Sequence, residues 1–276
     1  MDIHAVITIA KQELTINIRN KWTLIFAAVF SVLVLAISYF GLLTAGSIGF
    51  QGFTRTSASL LNLVLYIVPL VALVMGTLSF TSEKSASELL FAQPVTRSEI
   101  WLGKLLGLFA SMLTATLIGF GLGGFVIAMK AGTTGALRYP LFVGFALLLA
   151  LAFLSLSALI AALCQRKNRA FGVVMFLWFF FVLFYDLLVI GGTFLFKERT
   201  ANHFIFASLF GNPVGMTRVA SLMVLNGKEI FGVAGAALTK FLGGEIASIL
   251  LLMLGMLVWI VAPFLLSQQL LKRQDI

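Results

Sequence analysis

The sequence predicts an all-α integral membrane protein with six transmembrane helices, and three observations carry that prediction. Of 276 residues, 61% are hydrophobic and only 11% are charged, with a mean hydropathy of +1.08; a water-soluble chain of this length needs far more polar surface. Six apolar runs are long enough to cross about 30 Å of hydrocarbon, which takes roughly 20 helical residues. The lysines and arginines gather at the ends of those runs. A β-barrel would instead show alternating segments of about ten residues, and the sequence has no such pattern.

Residues 2–20 form the first element. On a helical wheel Ile3, Val6, Ile7, Ala10, Leu14 and Ile18 share one arc, with His4, Thr8, Lys11, Thr15 and Arg19 opposite. This pattern predicts an amphipathic helix at the membrane surface, either an interfacial element in its own right or a leader that anchors the first span. The spans follow at 22–43, 60–80, 105–129, 140–164, 171–196 and 246–271. Pro69, the glycines of GFGLGG and Pro263 are compatible with them, because bilayer helices tolerate small residues and prolines. The first run begins after 21 residues and is too long for a signal-peptide core, so no cleaved signal is expected. The single cysteine, Cys164, excludes an internal disulfide.

Charge sets the orientation. With six spans both termini share a side, which holds Lys11, Arg19, Lys21, Lys84, Arg97, Lys104, Arg166, Lys167, Arg169, Lys272 and Arg273. The two short loops opposite hold Arg55, Lys130 and Arg138, and eleven against three places both termini in the cytoplasm. Adding Lys197, Arg199, Arg218, Lys228 and Lys240 of the long outer loop 197–245 narrows this to eleven against eight without changing its sign. The net charge of +9 is therefore an orientation signal rather than a nucleic-acid footprint. Within 197–245 two apolar stretches, shorter than a span, are broken by Gly-Asn-Pro and Asn-Gly. They read as re-entrant or interfacial helices, either capping the outer end or docking an outer partner.

One polar window interrupts the apolar chain: EKSASELLFAQPVTRSEIWLGK, residues 83–104. It carries two helix-start patterns, Ser85 with Glu88 and Thr96 with Glu99, in which the hydroxyl and the carboxylate satisfy backbone N–H groups reciprocally. Pro94 between them disfavours helix at Gln93 and lacks an N–H. The expected product is a short helix within 84–93, a sharp stop, and a second helix from about Arg97 running into span three. The short helix exposes Leu89, Leu90 and Phe91 beside Glu83, Lys84 and Glu88. An apolar tip with a charged rim suits a knob that fits a groove on a soluble partner; the alternative is a loop whose Leu-Leu-Phe lies on lipid headgroups.

The stretch ASELLFAQPVTRSEIWLGKLLG resembles the intracellular segment of ABC-2 type permeases, with its pattern E-x-L-L-x-x-P-V-[ST]-R-x-x-[IVL]-x-x-G-K between spans two and three. Glu88, Leu89, Leu90, Pro94, Val95, Thr96, Arg97, Ile100, Gly103 and Lys104 fall on that pattern. A basic amphipathic stretch before span one (KQELTINIRNKW), six spans and a long outer connection before the last complete the likeness, which covers nearly the whole chain. It implies the ABC-2 exporter architecture, of the type V kind, with a coupling helix that inserts into an ATPase subunit. Glu83, Lys84, Glu88, Leu89, Leu90, Phe91, Pro94 and Arg97 are then the ATPase-coupling residues. More narrowly, the chain is similar to the permease subunits of transporters that mature nitrous oxide reductase. That likeness implies a homodimer, two copies of a cytoplasmic ATPase, and a periplasmic β-helix partner. Through that partner it implies a copper chaperone or the reductase itself, whose copper-sulfur cluster is being built.

Chemistry within the chain is not expected. Gly103–Lys104 is followed by Leu and Gly227–Lys228 by Glu, so neither is a P-loop. ATP and Mg belong to the partner ATPase, and no cofactor is assigned to this chain. His4 and His203 fall on opposite sides of the membrane, and no catalytic residue is named. Soft Cu(I) would need Cys164 or methionines. Met253 with Met256, and Met216 with Met223, share helical spacing, but no clustered motif exists and no metal site is assigned. Asp186, the one acid well inside a span, either lines an intramembrane polar path or sits near the outer headgroups bonded to a neighbour. Arg218, Lys228 and Glu229 are candidate contacts for an outer partner. A secondary transporter would show inverted repeats and paired intramembrane charges; neither is readable, Asp186 standing alone. A generic ABC-2 exporter of a small apolar or lipid-like substrate is the alternative within the family, and a purely structural anchor would not need the cytoplasmic knob.

Overall fold

The structure is a computed structural model that describes residues 2–44, 50–81, 95–131, 139–164, 166–196, 198–225 and 243–273. Every regular element among them is helical. In chain order these are α1 (Ile3–Arg19), α2 (Lys21–Thr44), α3 (Phe50–Thr81), α4 (Arg97–Ala131), α5 (Tyr139–Leu163), α6 (Lys167–Phe179), a π-helical turn (Phe180–Phe184) and α7 (Tyr185–Thr193). The outer connection contributes α8 (Glu198–Leu209) and α9 (Pro213–Val224), and α10 (Glu245–Arg273) closes the chain.

Five described helical stretches are long and apolar enough to cross a membrane: Ser59–Thr81, Arg97–Gly121, Tyr139–Leu163, Lys167–Thr193 and Glu245–Arg273. The run expected at 22–43 coincides with α2, whose described apolar stretch is Ala27–Tyr39. The run expected at 171–196 is one continuous helical rod, α6 through α7, but it is not uniform. It carries the π turn at FFVLF, a departure that side-chain periodicity does not announce.

α5 is the central helix, buried over most of its length against α3, α4 and α10. Its Phe142 and Phe153 are among the largest fully buried side chains. Phe142 meets Phe120 of α4 edge-on at 5.4 Å between ring centroids, and Phe120 in turn meets Phe30 of α2 at 5.3 Å. Edge-to-face pairs of this kind add about 0.5–1.5 kcal/mol beyond the area they bury. The α6–α7 rod and α10 instead leave most of their apolar surface uncovered, as helices in lipid are free to do.

α9 is not a surface helix. Val214, Met216, Thr217, Ala220 and Ser221 are buried, and the helix packs on α3, α5 and α10. Its start lies at the Gly-Asn-Pro break. Asn212 is the N-cap, its Oδ1 accepting from the Val214 backbone N–H at 2.9 Å, and Pro213 occupies the first turn, where its missing N–H costs nothing.

α1 is helical as the periodicity predicts, but the predicted apolar arc is split. Val6 is buried, whereas Ile3, Ile7 and Ile18 are exposed. The helix runs along the first turns of α4, not free on a surface. Gly103 and Gly107 are one turn apart and let it come close. A Cβ on Gly103 would stand 2.7 Å from Ile9 Cβ, and one on Gly107 would stand 2.6 Å from the Ala10 carbonyl oxygen. A Gly-x-x-x-Gly pair of this type is a close-packing device for membrane helices.

Candidate functional site

The coupling segment is the first candidate. Glu83, Lys84, Glu88, Leu89, Leu90, Phe91 and Pro94 lie outside the described residues, as do Lys228 and Glu229 of the outer loop. The two ends from which the segment springs are described: α3 up to Thr81, and the chain from Val95 into α4.

The expected second helix start is present. α4 begins at Arg97, one residue after Thr96. Glu99 Oε2 accepts from the Thr96 backbone N–H at 2.8 Å, and Thr96 Oγ1 accepts from the Glu99 N–H at 3.4 Å. This is the reciprocal arrangement that the Thr-x-x-Glu spacing predicts. Glu99 does more than cap. Its Oε1 accepts from the Asp2 backbone N–H at 2.5 Å, so one carboxylate holds two chain segments 97 residues apart.

Arg97, Gly103 and Lys104 of the motif each also hold a neighbour. Arg97 donates from Nη1 to the Leu271 carbonyl oxygen at 3.2 Å, near the C-terminus of α10, where a cation complements the helix dipole. Ile100 is buried, and Gly103 seats α1. Lys104 is buried and donates to the Ser79 carbonyl oxygen at 3.0 Å, bridging the end of α3 to the start of α4. The Ser79 hydroxyl donates to Glu13 Oε1 of α1 at 2.7 Å, and Asn17 Nδ2 donates to the same oxygen at 2.8 Å. Glu13 and Asn17 are buried, which the wheel analysis of α1 missed because it sorted that helix into lipid and water faces only. The signal that would have found them is the Gly103/Gly107 pair, which marks a third, helix-facing side.

Two further hydrogen bonds fix the region to the last helix. Trp101 is buried, stacks obliquely on Phe80 with 4.6 Å between ring centroids, and donates from Nε1 to Ser267 Oγ at 3.1 Å. The start of α4 therefore gathers the end of α3, the beginning of α1 and the end of α10 at one end of the bundle.

Farther along the bundle, the chain between α7 and α10 and the α6–α7 rod interlock around the π turn. Asn212 Nδ2 donates to the Phe181 carbonyl oxygen at 3.0 Å, Tyr185 Oη donates to the Ser208 carbonyl oxygen at 2.6 Å, and Phe181 meets Trp259 of α10 edge-on at 5.4 Å. Trp259 Nε1 also donates to the Phe210 carbonyl oxygen at 3.0 Å. Asp186 is not alone, as the sequence reading had it. Its Oδ2 accepts from Arg218 Nη1 at 2.6 Å, joining α7 to α9. The structure thus brings together the acid expected inside a span and a residue expected to face an outer partner. The two methionines closest to this region are packing groups: Met216 lies against Gly255, and Met256 Sδ accepts from Thr217 Oγ1 at 3.7 Å.

Comparison with known proteins gives the same picture over the length of the chain. The ABC-2 family transporter protein profile matches residues 7–276. A probable ABC transporter permease protein NosY of Pseudomonas aeruginosa is 32% identical over 236 residues, covering 83% of this chain and 86% of that one. A second protein of that name, from Stutzerimonas stutzeri, is 30% identical over 273 residues, covering 96% and 97%.

Proposed function

This chain belongs to the ABC-2 transporter family, as a permease subunit of an ABC transporter in a multi-pass membrane setting, and on that premise we propose that it converts the stroke of a separate cytoplasmic ATPase into work across a bacterial inner membrane. In this reading the chain crosses the membrane six times, α2 being the first span, with both termini in the cytoplasm. Two copies form a homodimer that carries two ATPase subunits, and those subunits hold ATP and Mg. The coupling helix expected within 84–93 is the element on which they push, around Glu88, Leu89 and Leu90. A conformational change needs a difference in contact between states, and the ATP-bound and free forms of the ATPase supply it.

The observation that carries this reading is the use made of the motif's second half. Thr96, Arg97, Gly103 and Lys104 each hold a different element or end at the root of the segment. A knob so rooted passes displacement to the bundle instead of absorbing it. The narrower proposal rests on the resemblance over the chain's length: the work supports assembly of the copper-sulfur cluster of nitrous oxide reductase. It would be delivered to a periplasmic β-helix protein and, through it, to a copper chaperone or the reductase.

The test is purification in detergent of Glu88→Lys and Leu90→Arg variants together with the partner ATPase. The expected outcome is loss of the ATPase from the complex while yield and helical content of this chain stay unchanged. Undiminished association of the ATPase with both variants sinks the coupling reading.

A further inference from the structure

We infer that the start of α4 drives the last helix directly, with Arg97 and Trp101 as the positioning residues, so that α10 is the rod carrying the stroke to the opposite end of the bundle. The inference deepens the proposed function and rests on it. The hydrogen bonds Trp101 Nε1 to Ser267 Oγ (3.1 Å) and Arg97 Nη1 to the Leu271 carbonyl (3.2 Å) fall one helical turn apart on both partners. Two attachments in register fix a direction as well as a distance. Trp101 and Ser267 are buried, so water does not compete for their bond.

The Trp101 ring is also where the two roots of segment 82–94 meet. Phe80, at the end of α3, packs on it at 4.6 Å between centroids, while Trp101 itself belongs to the first turns of α4. Displacement of either root therefore moves the group that holds α10. The motion has somewhere to go. Along the rest of its length α10 packs chiefly on α5 and α9. Eight residues before Ser267, roughly 12 Å along the helix, Trp259 bonds the Phe210 carbonyl and meets Phe181 of the π turn. The last helix thus touches the coupling roots near one end and the chain between α7 and α10 at its middle.

The experiment uses the full complex with its ATPase in lipid nanodiscs, in a Cys164→Ser background. Single reporter cysteines replace Gly121 of α4, where an added Cβ meets nothing within 4 Å, or Ile246 of α10, which is 77% exposed. Labelling rates with a small methanethiosulfonate reagent are compared without nucleotide and with ATP and vanadate. The expected result is a severalfold nucleotide-dependent change at both reporters in the otherwise unmodified protein. In the Arg97→Gln/Trp101→Phe variant, the change at Ile246→Cys is lost and that at Gly121→Cys is kept. Trp101→Phe keeps an aromatic ring against Phe80 while removing the N–H donor and part of the ring volume. If the double variant loses the Gly121 response as well, Ser267→Ala decides, because it removes one hydroxyl and little volume: a weakened Ile246 response with a full Gly121 response supports the inference. An Ile246 response of full size in that variant or in the double variant overturns it, as does a response at Gly121 alone in the unmodified protein. If neither reporter responds although the ATPase is bound, the ATP-coupling reading itself fails.

Discussion

Asp186 lies 19 residues beyond Lys167, the first residue of its rod, which at 1.5 Å per residue is roughly 28 Å, close to the far boundary of a hydrocarbon layer about 30 Å thick. An acid at that depth is expensive without a partner, and Arg218 is the partner, at 2.6 Å. The two ends of the pair are not equivalent. An arginine deprived of its acid can extend its long side chain toward the headgroups, whereas the short aspartate cannot. Arg218→Gln is therefore expected to lower the melting temperature in nanodiscs more than Asp186→Asn does. The double variant should recover part of the loss, with a coupling of about 1 kcal/mol or less, since both side chains are 33–41% exposed. Strictly additive losses, with the double variant destabilised by the sum of the two single variants, would show that the pair contributes nothing. Both residues stand out in the sequence, but their pairing does not. They are 32 positions apart, and only the Gly-Asn-Pro turn into α9, with Asn212 bonded to the π turn, brings them face to face.

At the scale of elements, α1 and α4 form a unit whose contact surface is set by two missing side chains. Gly107→Leu would place a branched side chain where even a Cβ lies 2.6 Å from the Ala10 carbonyl and from Glu13 Cβ. Overpacking of this kind costs about 1–3 kcal/mol, enough to displace a helix held otherwise by Glu13, Val6 and the Asp2–Glu99 bond. A cysteine at Val6, 4% exposed, should then react with maleimide much faster than in the parent, while Gly121→Cys is unaffected. Unchanged protection of Val6→Cys would mean that α1 is held by something other than this seat. Which elements could be read in advance follows from the range of the forces that make them. The α4 start was legible because Thr96 and Glu99 satisfy each other three residues apart. The Asn212 cap, flanked by Gly211 and Pro213, was legible as a break for the same reason. The π turn was not, because FFVLF has no glycine or proline to mark it and the group bonded there, the Asn212 amide on the Phe181 carbonyl, is distant in sequence. The buried face of α1 was not either, because its complement lies on another helix.

For the whole molecule, the contacts at the start of α4 constrain topology independently of any count of spans. Asp2 bonds Glu99 and Leu271 bonds Arg97, so the two ends of the chain sit at one end of the bundle, together with the roots of segment 82–94. This agrees with the even number of crossings proposed, in which α2 is the first, since α1 lies at that end and the last turn of α3 brings Ser79 there beside Glu13. The charge count then supplies the sign. Lys11, Arg97, Lys104, Lys272 and others share the termini end, and the orientation proposed from them puts that end in the cytoplasm. The margin is narrow once the basic residues of 197–245 are included, so orientation is the property most worth measuring. In the Cys164→Ser background, cysteines at Ile3 and at Lys272, both exposed, should resist a membrane-impermeant maleimide in intact spheroplasts and react after permeabilisation. A cysteine at Ile246, at the other end of α10, should react without permeabilisation. Reaction of Ile3→Cys and Lys272→Cys on opposite sides would break the clamp described at Glu99 and Arg97. Reaction of both from outside, with Ile246→Cys protected, would leave the clamp intact but put the knob where no ATPase can reach it.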